Sequence, residues 1–285
     1  MKTIDIVCVD YGLVENTKLL VKSIETTVDT KKYDYIINLV WQYDNSKEDL
    51  MRDLREKNLI SEFGDNEKVR LIEGVDQSDK RVTTKTEDGN ILAWPSTYGY
   101  QGYQKGTLAG NSEYICYVDT DSFFLSKNWT DLFTEYADKY FFVSSRFDSG
   151  NHFKTKHHDL GMAWGHLFMI QRKHIIEYDI LPDLSWRDDF GNFTKFANDN
   201  DLKYMIFPMS AGTKYRRTCT NHKLNDEIEN GDRWKLLRHE INGDFCLNPK
   251  NENEILNFHQ YQGQFKYGDI GRIKKWYDEY LSKNS

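Results

Sequence analysis

The stretch Tyr114-Ile115-Cys116-Tyr117-Val118-Asp119-Thr120-Asp121 places two carboxylates directly after a short apolar run. The five residues before Asp119 are all apolar or aromatic, which predicts a strand buried on both faces, as in a parallel sheet. Positions i and i+2 of an extended backbone point to the same side. Asp119 and Asp121 are therefore expected to converge at the carboxyl end of the strand, the edge at which open α/β sheets bind ligands.

Apolar runs and amphipathic stretches alternate before this strand. The predicted strands are residues 4–9, 35–41 and 69–72, and the first predicted helix is residues 16–29. A second helix is expected after the second strand, with Ser46 as its cap and with Leu50 and Leu54 on one face. Such alternation is typical of the start of a parallel α/β sheet.

The residues after the third strand break this pattern. We expect an extended loop over residues 76–100, which are polar and then rich in Trp, Tyr, Gly and Pro. A helix is predicted over residues 102–112, with Gly102, Gly106 and Gly110 on one face. Because glycine disfavours helix, this prediction requires the helix backbone to pack closely against a neighbouring element.

Strands and helices continue beyond Asp121. Further strands are predicted at residues 141–144, 167–170, 204–208 and 255–258, and helices at 129–140, 186–198 and around Ile273, Trp276, Tyr277, Tyr280 and Leu281. Residues 211–250 give no clear pattern.

Composition excludes several classes of protein. The chain has 285 residues, a net charge of −7 and a pI near 5.7, which argues against a nucleic-acid partner. Its four cysteines form no C-x-x-C pair, so a structural zinc site is not expected, and Cys8 and Cys116 are predicted to be buried. No signal peptide is recognisable, and no apolar run approaches the ~18 residues of a membrane span. We therefore expect a cytoplasmic protein.

The carboxylate pair favours a metal site. Two bare charges about 5 Å apart repel by roughly 3 kcal/mol at an effective dielectric constant near 20. A divalent cation removes that repulsion, and carboxylates suit Mg²⁺ or Mn²⁺. The cation can then hold a diphosphate and neutralise charge as the diphosphate leaves. The alternative is a pair of solvated aspartates in a turn.

Two other enzyme classes use similar pairs. Residues 117–122 resemble a catalytic motif of family-B DNA polymerases, but those enzymes need a longer chain and a third aspartate motif, which is absent. Haloacid-dehalogenase-type phosphatases require Thr or Val where this chain has Phe123.

A third class matches more of the chain. Residues 4–12, 35–46, 109–125 and 129–133 resemble, in order, elements of the GT-A glycosyltransferases, especially glycosyltransferase family 2. The resemblance implies an α/β fold of GT-A type, a Rossmann-like mixed sheet flanked by helices. The nucleotide-sugar contacts are expected at Val9, Asp10, Tyr11, Asp44, Lys105 and Asp119. Asp44 can equally be a turn residue at a helix entry.

The same resemblance assigns the Asp-x-Asp motif and a catalytic base. It makes Asp121 the direct metal ligand and Asp119 a ligand to the metal or to the sugar-nucleotide. Trp186-Arg187-Asp188-Asp189 resembles the family's W-x-E-D motif, whose last carboxylate deprotonates the acceptor hydroxyl. That implies Asp189 as the base, with Asp188 as the second candidate. The alternative is a pair of carboxylates that favour a helix start.

His259 is the third metal-ligand candidate. Residues 255–263 and Lys266 resemble the C-terminal H-x-x-G…K element of glycosyltransferase family 8, in which the histidine completes the metal site. The alternatives are a structural role for His259 and a metal role for His222. The family-2 likeness implies inversion and the family-8 likeness retention, so the stereochemistry stays open.

Three other histidines lie in the polar segment 146–163. We assign His152, His157 and His158 to a loop on the acceptor side rather than to a zinc cluster.

These motifs imply one catalytic domain over residues 1–285, with a nucleotide-sugar half (1–125), an acceptor half (126–265) and a C-terminal helix (266–285). The implied function is Mn²⁺- or Mg²⁺-dependent transfer of a hexose from a nucleotide-diphosphate sugar to a glycan, a lipid-linked or another hydroxyl acceptor. A UDP-sugar is favoured as donor. The alternatives are a two-metal nucleotidyl- or phosphoryl-transfer enzyme and a non-catalytic nucleotide- or carbohydrate-binding module.

The lysines and aromatic residues of the C-terminal helix have two interpretations. Either they contact an anionic membrane from outside, or they pack on the domain.

Overall fold

The computed structural model describes residues 1–78, 84–85, 91–92, 94–147, 162–183, 190–210, 222–237, 243–260 and 270–284. The strands are β1 Lys2–Asp10, β2 Tyr33–Tyr43, β3 Val69–Asp76, β4 Thr84–Lys85, β5 Ile91–Leu92, β6 Tyr114–Val118, β7 Ser122–Phe124, β8 Phe142–Phe147, β9 Met162–Gln171, β10 Met205–Phe207, β11 Met209–Ser210, β12 Gly243–Asn248 and β13 Asn251–Gln260. The helices are α1 Val14–Thr27, α2 Arg52–Phe63, α3 Trp94–Ala109, α4 Trp129–Ala137, α5 Arg172–Tyr178, α6 Gly191–Asp199, α7 His222–Asn230 and α8 Ile270–Asn284.

Seven strands form the main sheet, in the order β10-β8-β9-β6-β1-β2-β3. β6, β1, β2 and β3 run parallel, whereas β9 is antiparallel to both of its neighbours. The prediction of a mixed α/β sheet flanked by helices is confirmed. The carboxyl ends of β1, β2 and β6 lie at one edge of the sheet, where the sequence places its candidate site residues.

Helices cover both faces of the main sheet because its central strands are apolar on both sides. Along β1, Ile4, Ile6 and Cys8 pack in the cluster that contains α1, α2 and α4, whereas Val7 and Val9 pack in the cluster that contains α3, α5 and α6. The predicted burial of Cys8 and Cys116 is confirmed.

Helix α3 packs on β1 through its glycines. A methyl group added at Gly106 would lie 2.3 Å from Cγ1 of Val7, and one added at Gly102 would lie 2.8 Å from Cγ1 of Val9. Both distances are shorter than atoms can approach, so only glycine allows this contact. The requirement that the predicted helix pack closely is met.

Two predictions on the segments that follow β2 and β3 were wrong. Residues 94–100 belong to α3, and β4 pairs with β5, so the segment 76–100 is not one extended loop. Ser46 does not cap α2: its backbone N–H and hydroxyl donate to Asp44, and α2 begins only at Arg52, after a short 3-10 helix at Glu48–Leu50. Leu54 is 40% exposed, so it does not form the expected apolar face with Leu50.

A second, antiparallel sheet lies beyond the carboxylate pair, in the order β11-β12-β13-β7. Its apolar side packs with α7 and α8 in a third core cluster that contains Phe123, Phe258 and Tyr277. The Tyr277 hydroxyl donates to the carbonyl of Phe124 at 3.0 Å, and the Trp276 indole donates to the carbonyl of Arg233 at 2.9 Å. These aromatic residues of α8 therefore pack on the domain.

Several predictions fall outside the described residues: those on His152, His157, His158, Asp188, Asp189, Lys266 and the side chain of His222. The boundaries near residues 125 and 265 also stay predictions. Among the helices that the structure describes, none has the length and apolar character needed to cross a membrane.

Candidate functional site

The two sheets are joined by the segment that contains the carboxylate pair. β6 ends at Val118, and β7 begins at Ser122, so the chain leaves one sheet and enters the other within three residues. The Ser122 N–H donates to the carbonyl of Asp119 at 3.0 Å, which closes a tight turn. The expected extended backbone over 119–121 is therefore wrong, since the turn directs the chain into the second sheet.

The second sheet brings His259 to this turn. β13 pairs with β7 so that His259 lies opposite Ser122, and the Gln260 N–H donates to the carbonyl of Asp121 at 2.9 Å. Nε2 of His259 is 3.3 Å from Oδ1 of Asp121 and 3.6 Å from Oδ2 of Asp119. The site is thus built from the end of one sheet and two paired strands of the other.

Charge holds the three side chains together. His259 is buried, which opposes its protonation, but the carboxylates of Asp121, Asp119 and Asp244 outweigh the burial and raise the pKa of the imidazole to about 9. In the protein as described, a protonated His259 offsets the repulsion between the two aspartates.

The same three residues fit a divalent cation. One ligand atom from each of Asp119, Asp121 and His259 lies within 4.8 Å of the other two. Among the described residues, this is the group of three candidate metal ligands that lies so close together. Two carboxylate oxygens and one imidazole nitrogen suit Mn²⁺, and Mg²⁺ accepts the carboxylates. Both aspartates remain partly exposed, so further ligands can reach the cation from solvent.

Tyr103 was not identified from the sequence. Its hydroxyl donates to Oδ1 of Asp119 at 2.6 Å, and its ring packs against Phe190 with 5.1 Å between ring centroids. Asp189 precedes Phe190 directly in the chain. The packing of Phe190 therefore ties the start of the described segment 190–210 to the residue that holds Asp119.

The predicted base-binding residues of β1 are engaged within the protein. Asp10 is fully buried: Oδ1 accepts from the N–H groups of Gly12 and Leu13 at 2.8 Å, and Oδ2 lies 3.1 Å from the buried guanidinium of Arg55. Gly12 has φ +102°, a conformation that glycine adopts without strain. Asp10 thus shapes the turn after β1, and direct contact with a nucleotide stays a prediction.

Val9 and Tyr11 flank Asp10. The Val9 side chain lies in the core beneath α3, and its carbonyl accepts from the Thr120 hydroxyl at 3.4 Å. Tyr11 is partly buried against the same core. The Val9–Thr120 contact joins the end of β1 to the carboxylate turn.

Asp44 lies at the end of β2. Burial favours its neutral form, but hydrogen bonds from Ser46 and Lys47 hold the pKa of Asp44 below its usual value. Its carboxylate therefore stabilises the turn after β2, as the alternative interpretation expects, and its contact with a nucleotide stays a prediction.

The side chain of Lys105 reaches the edge of the main sheet. Its ammonium donates to the carbonyls of Glu73 and Gly74 at 3.2 and 2.5 Å, on the edge strand β3, which is three strands from β6. The assignment of Lys105 to the nucleotide-sugar stays a prediction.

No protein-family model matches the chain, and no curated protein matches it in sequence. Among solved structures it is similar to S. aureus TarS in complex with UDP-GlcNAc, at 10% identity and a TM-score of 0.46, over 72% of this chain and 56% of that chain. It is also similar to a mannosyltransferase from Pyrobaculum calidifontis in complex with GDP-Man and Mn²⁺, at 10% identity and a TM-score of 0.46. This similarity covers 83% of this chain and 62% of that chain.

A third similar structure is a Drosophila β-1,4-galactosyltransferase 7 mutant with manganese, UDP-Gal and xylobiose, at 12% identity and a TM-score of 0.41. This similarity covers 72% of this chain and 65% of that chain. The chain spans little more than half of the TarS chain, and likeness at this level assigns no donor, acceptor or reaction to it.

Proposed function

We propose that the protein is a divalent-cation-dependent glycosyltransferase that moves a hexose from a nucleotide-diphosphate sugar, with a UDP-sugar favoured, to a hydroxyl of a glycan or another acceptor. The observation that carries this proposal is the convergence of Asp119, Asp121 and His259 at the carboxyl end of β6. It supports the metal role that the Asp-x-Asp motif and the C-terminal histidine element imply by resemblance.

Each residue of the site has a distinct task in the proposal. Asp121 and His259 bind the cation, and Asp119 binds the cation or the sugar-nucleotide. Tyr103 fixes one oxygen of Asp119, which leaves the other oxygen facing His259. When bound, the cation supplies positive charge for the diphosphate and for its departure as a leaving group.

The acceptor side of the proposal rests on the segment before Phe190. We assign the general base to Asp189, with Asp188 as the second candidate, because a carboxylate can take the proton of the attacking hydroxyl. Phe190, which follows Asp189 in the sequence, contacts Tyr103, and this contact supports the assignment.

The donor site is tested by thermal unfolding with UDP, GDP or CMP, each with and without Mn²⁺. A nucleotide at 100 times its dissociation constant adds about 2.7 kcal/mol, which corresponds to a rise in Tm of roughly 5–10 °C. We expect one nucleotide, UDP first, to stabilise the wild type only with Mn²⁺, and Asp121→Ala to abolish the effect. Asp53→Ala, at an exposed carboxylate of α2, is the control and should keep it.

The outcomes separate the candidate functions. No stabilisation of the wild type by any nucleotide would remove the main support for a glycosyltransferase. Metal-dependent binding without turnover of any sugar donor would indicate a binding module. Release of pyrophosphate or phosphate with no sugar moved would indicate nucleotidyl or phosphoryl transfer.

The base is tested by donor hydrolysis and transfer in Asp189→Asn and Asp188→Asn. We expect Asp189→Asn to lose turnover by 10²-fold or more while it keeps metal-dependent nucleotide binding. Full activity in both variants would contradict the assignment. The anomeric configuration of the product, read by NMR, decides between inversion and retention.

A further inference from the structure

Asp244 lies directly opposite His259 in the pairing of β12 with β13. Residues that face each other across an antiparallel pair project to the same face of the sheet, with Cβ atoms about 4.5–5.5 Å apart. Both side chains are buried, Asp244 to 4% exposure and His259 to 6%. The structure therefore places a third carboxylate beside the imidazole, outside the group of three candidate ligands.

The two sides of the imidazole have different neighbours. Nε2 faces Asp121 and Asp119, at 3.3 and 3.6 Å. A histidine that binds a metal through one ring nitrogen usually donates the N–H of the other to a carboxylate or carbonyl, which fixes its tautomer and its orientation. Asp244 is close enough for its charge to act on His259.

We propose that Asp244 is a positioning residue of the metal centre: its carboxylate accepts the Nδ1–H of His259 and so holds Nε2 toward the cation. This inference rests on the proposed function, because it requires that Asp119, Asp121 and His259 bind a cation. It assigns Asp244 no direct contact with metal or substrate. Burying a carboxylate is costly unless it is paired, and in this proposal the imidazole N–H of His259 is the partner of Asp244.

The test measures Mn²⁺ affinity of the full chain by calorimetry and by the EPR signal of free Mn²⁺, without nucleotide. Asp244→Asn keeps the shape of the side chain but removes its charge. We expect Mn²⁺ to bind 10–100-fold more weakly to this variant. Glu254→Gln is the matched control, since Glu254 also lies on the β12–β13 hairpin but bonds to Ser126 and Asn128. It should bind Mn²⁺ as the wild type does.

A change of less than threefold in Asp244→Asn would overturn the positioning role while leaving the metal site in place. If the wild type binds no Mn²⁺, the proposed function fails, and this inference fails with it. A second measurement needs no variant and covers the case in which Asp244→Asn does not fold. ¹⁵N NMR of the Mg²⁺-loaded wild type should show His259 as the neutral Nδ1–H tautomer, and an Nε2–H tautomer would overturn the inference.

Discussion

The raised pKa of His259 predicts how the stability of the metal-free protein depends on pH. The pKa of the imidazole is 6.5 in its ordinary state and about 9 in the folded protein. A group whose pKa is raised by folding stabilises the folded state fully below its unfolded pKa, and this contribution is lost as the pH rises through the folded pKa. The window for His259 therefore runs from about pH 6 to about pH 9.5.

The size of the effect follows from the shift. Roughly 2.5 pKa units at 1.36 kcal/mol per unit gives about 3 kcal/mol of stability that is lost across this window. With a urea m-value of about 3 kcal/mol/M for a chain of this size, the midpoint of unfolding should fall by about 1 M. The positive charge of His259, rather than its packing, is the source of this contribution, because it offsets the two aspartates.

The assay is urea unfolding in EDTA at pH 6 and pH 9.5, on the wild type and on His259→Gln. The variant should lack the part of the pH dependence that belongs to His259, although it is less stable at pH 6. His174→Gln is the control. Burial lowers the pKa of His174, so the contribution of His174 to stability is lost as the pH falls and not as it rises. If His259→Gln loses as much stability as the wild type between the two pH values, the reasoning is refuted.

Binding of Mn²⁺ should oppose this pH dependence, because the affinity for the cation rises over the same range in which the metal-free protein loses stability. The cation needs the neutral imidazole, so binding displaces one proton below the folded pKa. The association constant for Mn²⁺ should rise about tenfold per pH unit from pH 7 to about 8.5 and level off above about pH 9. A constant affinity across this range would mean that His259 is not a ligand.

Three substitutions test the structure around the site. Tyr103→Phe keeps the ring but removes the hydrogen bond to Asp119, and urea unfolding should show a loss of about 2 kcal/mol; an unchanged midpoint would mean that the bond contributes nothing. Gly106→Ala gains about 1 kcal/mol of helix propensity but forces a methyl group onto Val7, so a net loss of about 1–2 kcal/mol is expected, and a gain would contradict the close packing of α3. Arg55→Met leaves a buried carboxylate without its cation at the end of β1 and should cost about 3–5 kcal/mol; a loss below 1 kcal/mol in thermal unfolding would show that the pair is dispensable.

The strands of the main sheet could be predicted because their signal is local. Each central strand is an apolar run that ends in polar residues, and this pattern fixes where strand and turn meet. Asp119 and Asp121 could be identified for the same reason, since they follow such a run directly. Their convergence with His259 was expected from motif resemblance, and the register of β7 with β13 is what brings it about.

Helix α3 could only partly be predicted because its composition opposes its conformation. Residues 94–100 contain Trp, Pro, Gly and Tyr, which together indicate a loop. The helix forms because glycines at 102 and 106 let its backbone approach β1, and the area buried by that contact outweighs the low helix propensity. The sequence alone does not show which surface a glycine will pack against.

Tyr103 and Asp244 were missed for a different reason. β12 reads Gly-Asp-Phe-Cys-Leu-Asn, and glycine, aspartate and asparagine are depleted in strands, so its pattern is hidden. Asp244 of this strand is paired with His259, which follows it by fifteen positions in the sequence. Only the register of β12 with β13 relates the two residues. Tyr103 likewise reaches Asp119 from a helix, across a distance that no local periodicity encodes.

A proton and a divalent cation are alternatives at the same point of this molecule. The candidate ligands come from both sheets, because Asp119 follows β6 whereas His259 lies on β13 of the second sheet. Either positive charge offsets the two carboxylates there, but only the cation also offers positions for diphosphate oxygens. Cation binding should therefore link the two sheets and stabilise the folded chain as a whole. That is why unfolding measurements report on this site even before a donor or an acceptor has been identified.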